Sequence, residues 1–175
     1  MSKGSNSHTL KLLITGGTFD KEYDEISGRL FFRHTHVDEM LKLGRSLVDV
    51  EIENLMMIDS LEMKDSDRAK ILRRCLSCTQ SKIVITHGTD TMEVTAQVLG
   101  LALSKKINQK TIVLTGAMVP YKFGSSDGLF NLGAALAFAQ SLPPGVYVAM
   151  NGRALPWNHV TKNRRTGEFT YKEKV

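Results

Sequence analysis

Five runs of β-forming apolar residues recur along the chain, and each is followed by a segment of helical or turn character. Two of these runs, "KIVIT" and "TIVLT", are almost continuously apolar, which is typical of strands buried on both faces of a parallel sheet. The predicted strands are 10–15, 48–58, 82–86, 111–116 and 145–150, and the predicted helices lie near 35–46, 65–79, 90–105 and 127–141. This alternation predicts an α/β fold: a three-layer, mostly parallel, doubly wound sheet with helices on both faces, of the Rossmann or flavodoxin-like type.

The length and composition are those of one globular domain. The chain has 175 residues, of which 42% are apolar and 23% are charged, so it can build a core and does not have a disordered composition. Residues 1–9 are predicted to form a flexible polar tail, and residues 10–175 to form a single domain. No apolar run has the length needed to cross a bilayer, so we expect no membrane partner.

The formal net charge of +5 is modest. It is not accompanied by a nucleic-acid-binding motif, so we expect no nucleic-acid partner. Cys75 and Cys78 lie inside a helical pattern without a second Cys/His pair at zinc-site spacing, which favours two structural cysteines and no metal or other cofactor. The polar N-terminus does not resemble a signal peptide, and with only two cysteines the chain is predicted to be cytoplasmic.

Candidate functional residues are concentrated where the predicted strands end. In an open parallel sheet, ligands bind outside the carboxyl ends of the strands. The segments that leave the five strands are rich in Gly, Ser, Thr, Asp or Asn. They are "TGGTFD", "IDSLEM", "THGTDT", "GAMVPYKFGSSDG" and "NGRALPWNHVTK". The sequence therefore predicts a small-molecule site at this edge of the sheet.

Together, these segments would assemble the parts of a hydroxyl-based catalyst from Thr18, Tyr23, Thr89, Asp90 and Lys162. A hydroxyl becomes a nucleophile when a neighbour accepts its proton, and a lysine beside an aspartate can do so. Backbone amides in the loops could stabilise an oxyanion.

Simpler interpretations remain open for both motifs. "TGGT" could be a tight turn, and Asp90 with Glu93 could be a helix cap. In the same way, Ser126 or Asp127 could cap the last helix. His87 is expected to point into the sheet rather than to act as a base.

The segments "TGGTFD", "THGTDTMEVTA", "LTGAMVP…SSDGLFNL" and "NHVTKNRRTGEF" resemble those of the L-asparaginase/glutaminase family of threonine amidohydrolases. Their order and approximate separation match the family over residues 10–169. The resemblance implies that Thr18 attacks the side-chain amide, that Tyr23 is a nearby phenol, and that Thr89, Asp90 and Lys162 form the second catalytic group. It also implies substrate contacts, and those residues are Gly17, Asp59, Ser60, Gly88, Ala117 and Met118.

The implied function is hydrolysis of the side-chain amide of L-asparagine, or of a related small amide, without a cofactor. Two alternatives remain: a non-catalytic sensor of aspartate or asparagine, and an ammonia-supplying subunit of the amidotransferase type. Full-length members usually carry a C-terminal domain, and this chain is expected to lack it. Leu61 follows Ser60 where the extracellular branch has glutamine, so the chain is more similar to the cytoplasmic branch.

The helices predicted at 90–105 and 127–141 are apolar over most of their circumference. Such helices are buried on more than one side, either as central core helices or at a subunit interface. We expect a homo-oligomer, a dimer or a tetramer.

Overall fold

The computed structural model describes residues 9–104 and 109–172. Residues 1–8 of the predicted tail and Lys105, the predicted end of a helix, lie outside this part, whereas Thr9 donates a hydrogen bond to Asp49 (2.6 Å). The strands are β1 (Leu10–Gly16), β2 (Lys21–Asp24), β3 (Arg29–Phe32), β4 (Val50–Ile58), β5 (Lys82–Thr86), β6 (Thr111–Thr115), β7 (Gly145–Met150), β8 (Arg153–Pro156), β9 (Val160–Lys162) and β10 (Phe169–Tyr171). The helices are α1 (Val37–Leu43), α2 (Asp65–Ser77), α3 (Met92–Ser104) and α4 (Gly128–Ser141).

The central sheet has six strands in the order β4-β1-β5-β6-β7-β8. The first five are parallel, with Leu12 of β1 paired to Ile52 on one side and to Val84 on the other. Counted along the chain, these five strands have the spatial order 2-1-3-4-5, which is the flavodoxin-like order. The predicted fold class is confirmed, and the strand order reverses at β1, next to β5.

Helices cover both faces of the sheet, as predicted. Because side chains alternate along a strand, Ile83 and Ile85 of β5 face the layer of α2 and α3, whereas Val84 faces the layer of α1 and α4. Each face contributes one apolar core. This packing holds the carboxyl ends of β1, β5 and β6 side by side.

Helices α3 and α4 are not covered all round. Leu101 of α3 is 55% exposed and Phe130 of α4 is 64% exposed, although both helices bury another face against the sheet. The two apolar helices are therefore core helices that keep some apolar surface in this chain.

The sequence missed the antiparallel strands. Lys21–Asp24 and Arg29–Phe32 form a hairpin directly after β1, and β9 pairs with β10 in a second hairpin. The segment after β7, predicted as one loop, instead turns back at Asn151 and Gly152 to form edge strand β8. Both residues have positive φ (54° and 75°), which a two-residue turn of this kind requires.

Cys75 and Cys78 are free and buried, as expected of structural cysteines. Cys75 lies in α2 and packs into the core, where burial raises the pKa of its thiol to about 12. Within the described residues, no helix combines the length and the apolar character that a membrane span requires.

Candidate functional site

Three of the predicted loops meet in main-chain contact at the carboxyl ends of the strands. A β-carbon placed on Gly17 would lie 2.3 Å from the nitrogen of Gly88, and one placed on Gly88 would lie 2.5 Å from Oγ of Ser60. Only glycines permit this approach. The loops after β1, β4 and β5 are thus brought together at the point where the strand order reverses, which is where ligands bind in such sheets.

Lys162 lies at the centre of the polar part of the site. Its Nζ donates to Oγ1 of Thr89 (2.9 Å) and to Oδ1 of Asp90 (2.8 Å), and only 8% of the residue is exposed. Thr89 is 5% exposed. The structure therefore brings together three of the five predicted catalytic residues, held by two charge-assisted hydrogen bonds.

The β9–β10 hairpin carries Lys162 to this position. Phe169, opposite Lys162 in the hairpin, is fully buried in the core and anchors it. The backbone N–H of Lys162 donates to Glu93 (2.8 Å), and Arg164 donates to the carbonyl of Asp90 (2.8 Å). The lysine is therefore positioned by α3 as well as by its own hairpin.

These contacts overturn the helix-cap interpretation of Asp90 and Glu93. Helix α3 begins at Met92, and the backbone N–H groups of Val94 and Thr95 donate to the carbonyl of Thr91. The Asp90 carboxylate is paired with Lys162 instead, so the acidic pair serves the site. At the other predicted cap, Ser126 Oγ does accept the N–H of Gly128 (2.9 Å).

Thr91 joins the loop after β4 to the loop after β5. Its hydroxyl donates to the carbonyl of Ser60 (2.8 Å) and accepts from the buried Arg68 (3.1 Å), which also donates to the carbonyl of Met63 (2.9 Å). This accounts for a third threonine in "THGTDT". Thr91 holds the two loops in register.

Asp59 is half-buried and forms an ion pair with Lys21. Its other oxygen accepts the N–H of Leu61 (2.9 Å). Burial by itself would raise the pKa of Asp59, but the hydrogen bonds from Lys21 and Leu61 outweigh it and lower the pKa. Asp59 is therefore an anion close to the loop contacts.

Thr18 is half-buried and directly follows the Gly17–Gly88 contact. Within the described residues its hydroxyl makes no hydrogen bond. Phe19, the next residue, is fully buried and fixes the short 3₁₀ turn Thr18–Asp20 in the core. The hydroxyl is thus held by its neighbours and is itself unengaged.

The other predicted site residues are placed differently. Tyr23 lies on β2 and is 53% exposed, and across the described chain its hydroxyl has no hydrogen-bond partner. Ala117 is fully buried in the core, so it presents no surface to a ligand here. The Met118 side chain lies against Gly167 of the β9–β10 turn, and its N–H donates to Asp127 (3.0 Å).

His87 is fully buried, as expected from its position before the loop glycine. Its Nδ1 contacts the carbonyl of Gly88 (2.7 Å), so Nδ1 carries the proton, and its Nε2 contacts Oγ1 of Thr95 (2.8 Å). Burial lowers its pKa to about 4. A neutral imidazole bonded on both sides has a structural role.

Sequence reasoning missed three charged residues of the site: Lys21, Glu93 and Arg164. Lys21 and Arg164 lie next to predicted motifs, and their charge opposite to Asp59 and Asp90 was a usable signal. For Glu93 no such signal existed, because its partner is a backbone N–H 69 residues away.

The family described as "Asparaginase, N-terminal" matches residues 9–173. The probable periplasmic L-asparaginase of Haemophilus influenzae is 36% identical over 171 residues, covering 93% of this chain and 48% of the relative. A glutamyl-tRNA(Gln) amidotransferase of Methanococcus maripaludis, matched in one of its subunits, is 29% identical over 158 residues, covering 87% of this chain and 37% of the relative. The chain thus spans about half the length, or less, of these curated relatives.

Solved structures agree with this assignment. The thermostable L-asparaginase of Thermococcus kodakarensis superposes with a TM-score of 0.82 at 30% identity, covering 93% of this chain and 51% of the other. The probable cytoplasmic L-asparaginase of Campylobacter jejuni gives 0.76 at 32% identity, with 93% and 52% covered. The motifs, the flavodoxin-like strand order and these matches lead to one conclusion: the chain belongs to the asparaginase family, in the part that corresponds to its N-terminal domain.

Proposed function

We propose that this protein hydrolyses the side-chain amide of L-asparagine, or of a closely related small amide, to the acid and ammonia. The observation that carries the proposal is the Lys162 ammonium, shared between the Thr89 hydroxyl and the Asp90 carboxylate. It lies in the loop cluster that also contains an unengaged Thr18 hydroxyl. Relatives named as L-asparaginases support the choice of substrate.

In the proposed reaction, Thr18 Oγ attacks the amide carbon and transfers its proton to the Thr89–Lys162–Asp90 group. The tetrahedral intermediate expels ammonia, which takes up a proton, and an ester to Thr18 remains. Water then attacks the ester and releases the carboxylic acid with restoration of the hydroxyl. The main-chain amides around Gly17 and Gly88 are the candidates for stabilising the oxyanion.

Asp59 and Ser60 would hold the α-amino and α-carboxylate groups of the substrate. In this role the Asp59 carboxylate must exchange its partner Lys21 for the substrate ammonium, or bind both. Tyr23, on the hairpin that follows Thr18, would supply its phenol only after the side chain swings inward, because it is exposed here.

The test is ammonia release from L-asparagine, L-glutamine and D-asparagine by wild type, Thr18→Ala and Thr79→Ala. Loss of the nucleophile should reduce kcat about a thousandfold or more. Thr79 is exposed and makes no side-chain hydrogen bond within the described residues, so its variant should equal wild type. Equal slow release by wild type and Thr18→Ala would refute the enzyme. Saturable binding of aspartate without turnover would instead support the sensor alternative.

The similarity to a glutamyl-tRNA(Gln) amidotransferase keeps an ammonia-supplying role as a second candidate. A chain with that role would release ammonia efficiently only with a companion protein. Copurification from native extract separates the two, since the proposed amidohydrolase should turn over as the isolated chain.

Oligomeric state and compartment belong to the same proposal. The exposed Leu101 and Phe130 of the apolar helices support a homo-oligomer, which light scattering on the purified chain would test. Free Cys75 and Cys78 support the cytoplasm, although relatives are named from both compartments. Cell fractionation would test that location.

A further inference from the structure

A second cluster of ligand-type side chains lies apart from the Lys162 group. Glu22 of β2 and the residues His34 and His36, in the segment between β3 and α1, place one potential ligand atom each within 4.8 Å of one another. His34 is exposed, Glu22 is half-buried and His36 is buried. The proposed amide hydrolysis uses none of the three.

The buried members of this cluster lack partners. His36 is only 1% exposed, and neither of its ring nitrogens has a hydrogen-bond partner within the described residues. The same is true of Oε1 of Glu22, which lies 3.2 Å from Nε2 of His36 but outside hydrogen-bonding alignment. Buried polar atoms are nearly always satisfied. These atoms therefore point to a ligand between them.

The spacing of the three side chains fits a metal ion. Oε1 of Glu22 lies 3.2 Å from Nε2 of His36 and 3.8 Å from Nδ1 of His34. In a tetrahedral site with metal–ligand bonds of about 2.0–2.1 Å, neighbouring ligand atoms lie about 3.3–3.4 Å apart. A small rotation of the exposed His34 side chain brings all three atoms to that spacing.

The surroundings hold the histidines in place and keep His36 neutral. The buried Asp20 accepts from the N–H of His36 (2.9 Å) and from the Thr35 hydroxyl (3.0 Å), which fixes the segment. Burial, followed by the charge of Lys122, lowers the pKa of His36. A metal ligand must be a neutral imidazole.

We propose that Glu22, His34 and His36 bind one divalent transition-metal ion of the Zn²⁺ class, with a further coordination position open to water. Two imidazoles and one carboxylate suit such a borderline cation better than Mg²⁺ or Ca²⁺, which prefer oxygen ligands. The ion would join the β2–β3 hairpin, which carries Tyr23, to the start of α1. This inference goes beyond the proposed function and does not depend on it.

The test uses the full chain, free of any histidine tag and stripped of metal. Zn²⁺ is titrated by calorimetry and Co²⁺ by its visible ligand-field absorption, in wild type, Glu22→Gln, His34→Gln and the control His159→Gln. His159 is an exposed histidine outside the cluster. Wild type and control should bind one ion per chain, and both cluster variants should bind about tenfold to a hundredfold more weakly.

A thermal measurement separates binding from folding. Because His34 is exposed, His34→Gln should melt at the wild-type temperature without metal, whereas Zn²⁺ should raise Tm in wild type and control only. Wild type that takes up no ion, or His34→Gln that binds as tightly as wild type, would overturn the site.

Discussion

At Gly17 the backbone has a φ of 83° and lies against the main chain of Gly88. A side chain at this position would have to enter the space that Gly88 occupies, and an L residue rarely adopts that φ. The contact sets the separation between Thr18 and Thr89, since each of them directly follows one of these two glycines.

We predict that Gly17→Ala retains the fold but loses most activity. The added β-carbon would meet backbone atoms at 2.3 Å and 2.5 Å, so the loops must separate, at a cost of about 1–3 kcal/mol in unfolding free energy. A displacement of this size lowers kcat about a hundredfold. Urea unfolding and ammonia release check the two parts.

Gly133→Ala is the matched control. Gly133 lies on the exposed side of α4, and a β-carbon there meets nothing within 4 Å. Because alanine favours a helix more than glycine does, this variant should be unchanged or slightly more stable. If both variants behave alike, the steric account of Gly17 is wrong.

At the scale of elements, β1 is joined to the edge strand β4 and to α2 by a charged cluster. Lys11 points from the buried strand β1 and is 1% exposed, yet its Nζ contacts Glu51 (2.8 Å) and Glu53 (2.5 Å). Arg74 of α2 donates to Glu53 through both Nε and Nη2 (2.7 Å each). Glu53 therefore neutralises two cations on different elements.

We predict that Glu53→Gln lowers the unfolding free energy at pH 7 by about 1.5–3 kcal/mol, the usual worth of hydrogen bonds to charged groups. Glu51→Gln is the control and should cost less, because the Glu51 side chain is 52% exposed. Chemical unfolding of both variants measures the difference. Equal losses would show that Glu53 has no special role.

The same residue predicts an acid dependence. Hydrogen bonds from Arg74 lower the pKa of Glu53 from 4.5 to about 2. The unfolded state therefore takes up this proton first, and the stabilisation present above pH 4.5 is lost as the pH falls towards 2. Glu53→Gln should show a shallower loss of stability over that range.

At the scale of the whole molecule, His87 connects the sheet to α3 through its two ring nitrogens. Folding buries the imidazole completely and lowers its pKa from 6.5 to about 4. Between these values the unfolded chain is protonated and the folded chain is not, so acid favours unfolding.

We predict that global stability falls by about 3 kcal/mol from this group alone as the pH drops from 6.5 to 4. The measurement is urea unfolding at constant salt across that range, for wild type and His87→Gln. The variant should be less stable at neutral pH but lose less on acidification. Parallel pH profiles for the two proteins would contradict the prediction. The exposed His159→Gln should follow the wild-type profile.

The sequence by itself determined the layers and the edge of the sheet that carries the polar loops. Runs such as "KIVIT" state their own burial, and the period of apolar residues distinguishes strand from helix without reference to distant residues. "Asn151-Gly152" also contained a readable hairpin signal, which the prediction overlooked.

Tertiary structure alone decided which polar groups became partners. Lys162 reaches Asp90 across 72 residues, Lys21 pairs with Asp59, and Glu22 approaches His36, although nothing local in the sequence marks these pairs. Local patterns report whether a residue is buried. Contacts between distant side chains depend on how separately folded segments dock, and only the assembled sheet and its hairpins set that geometry.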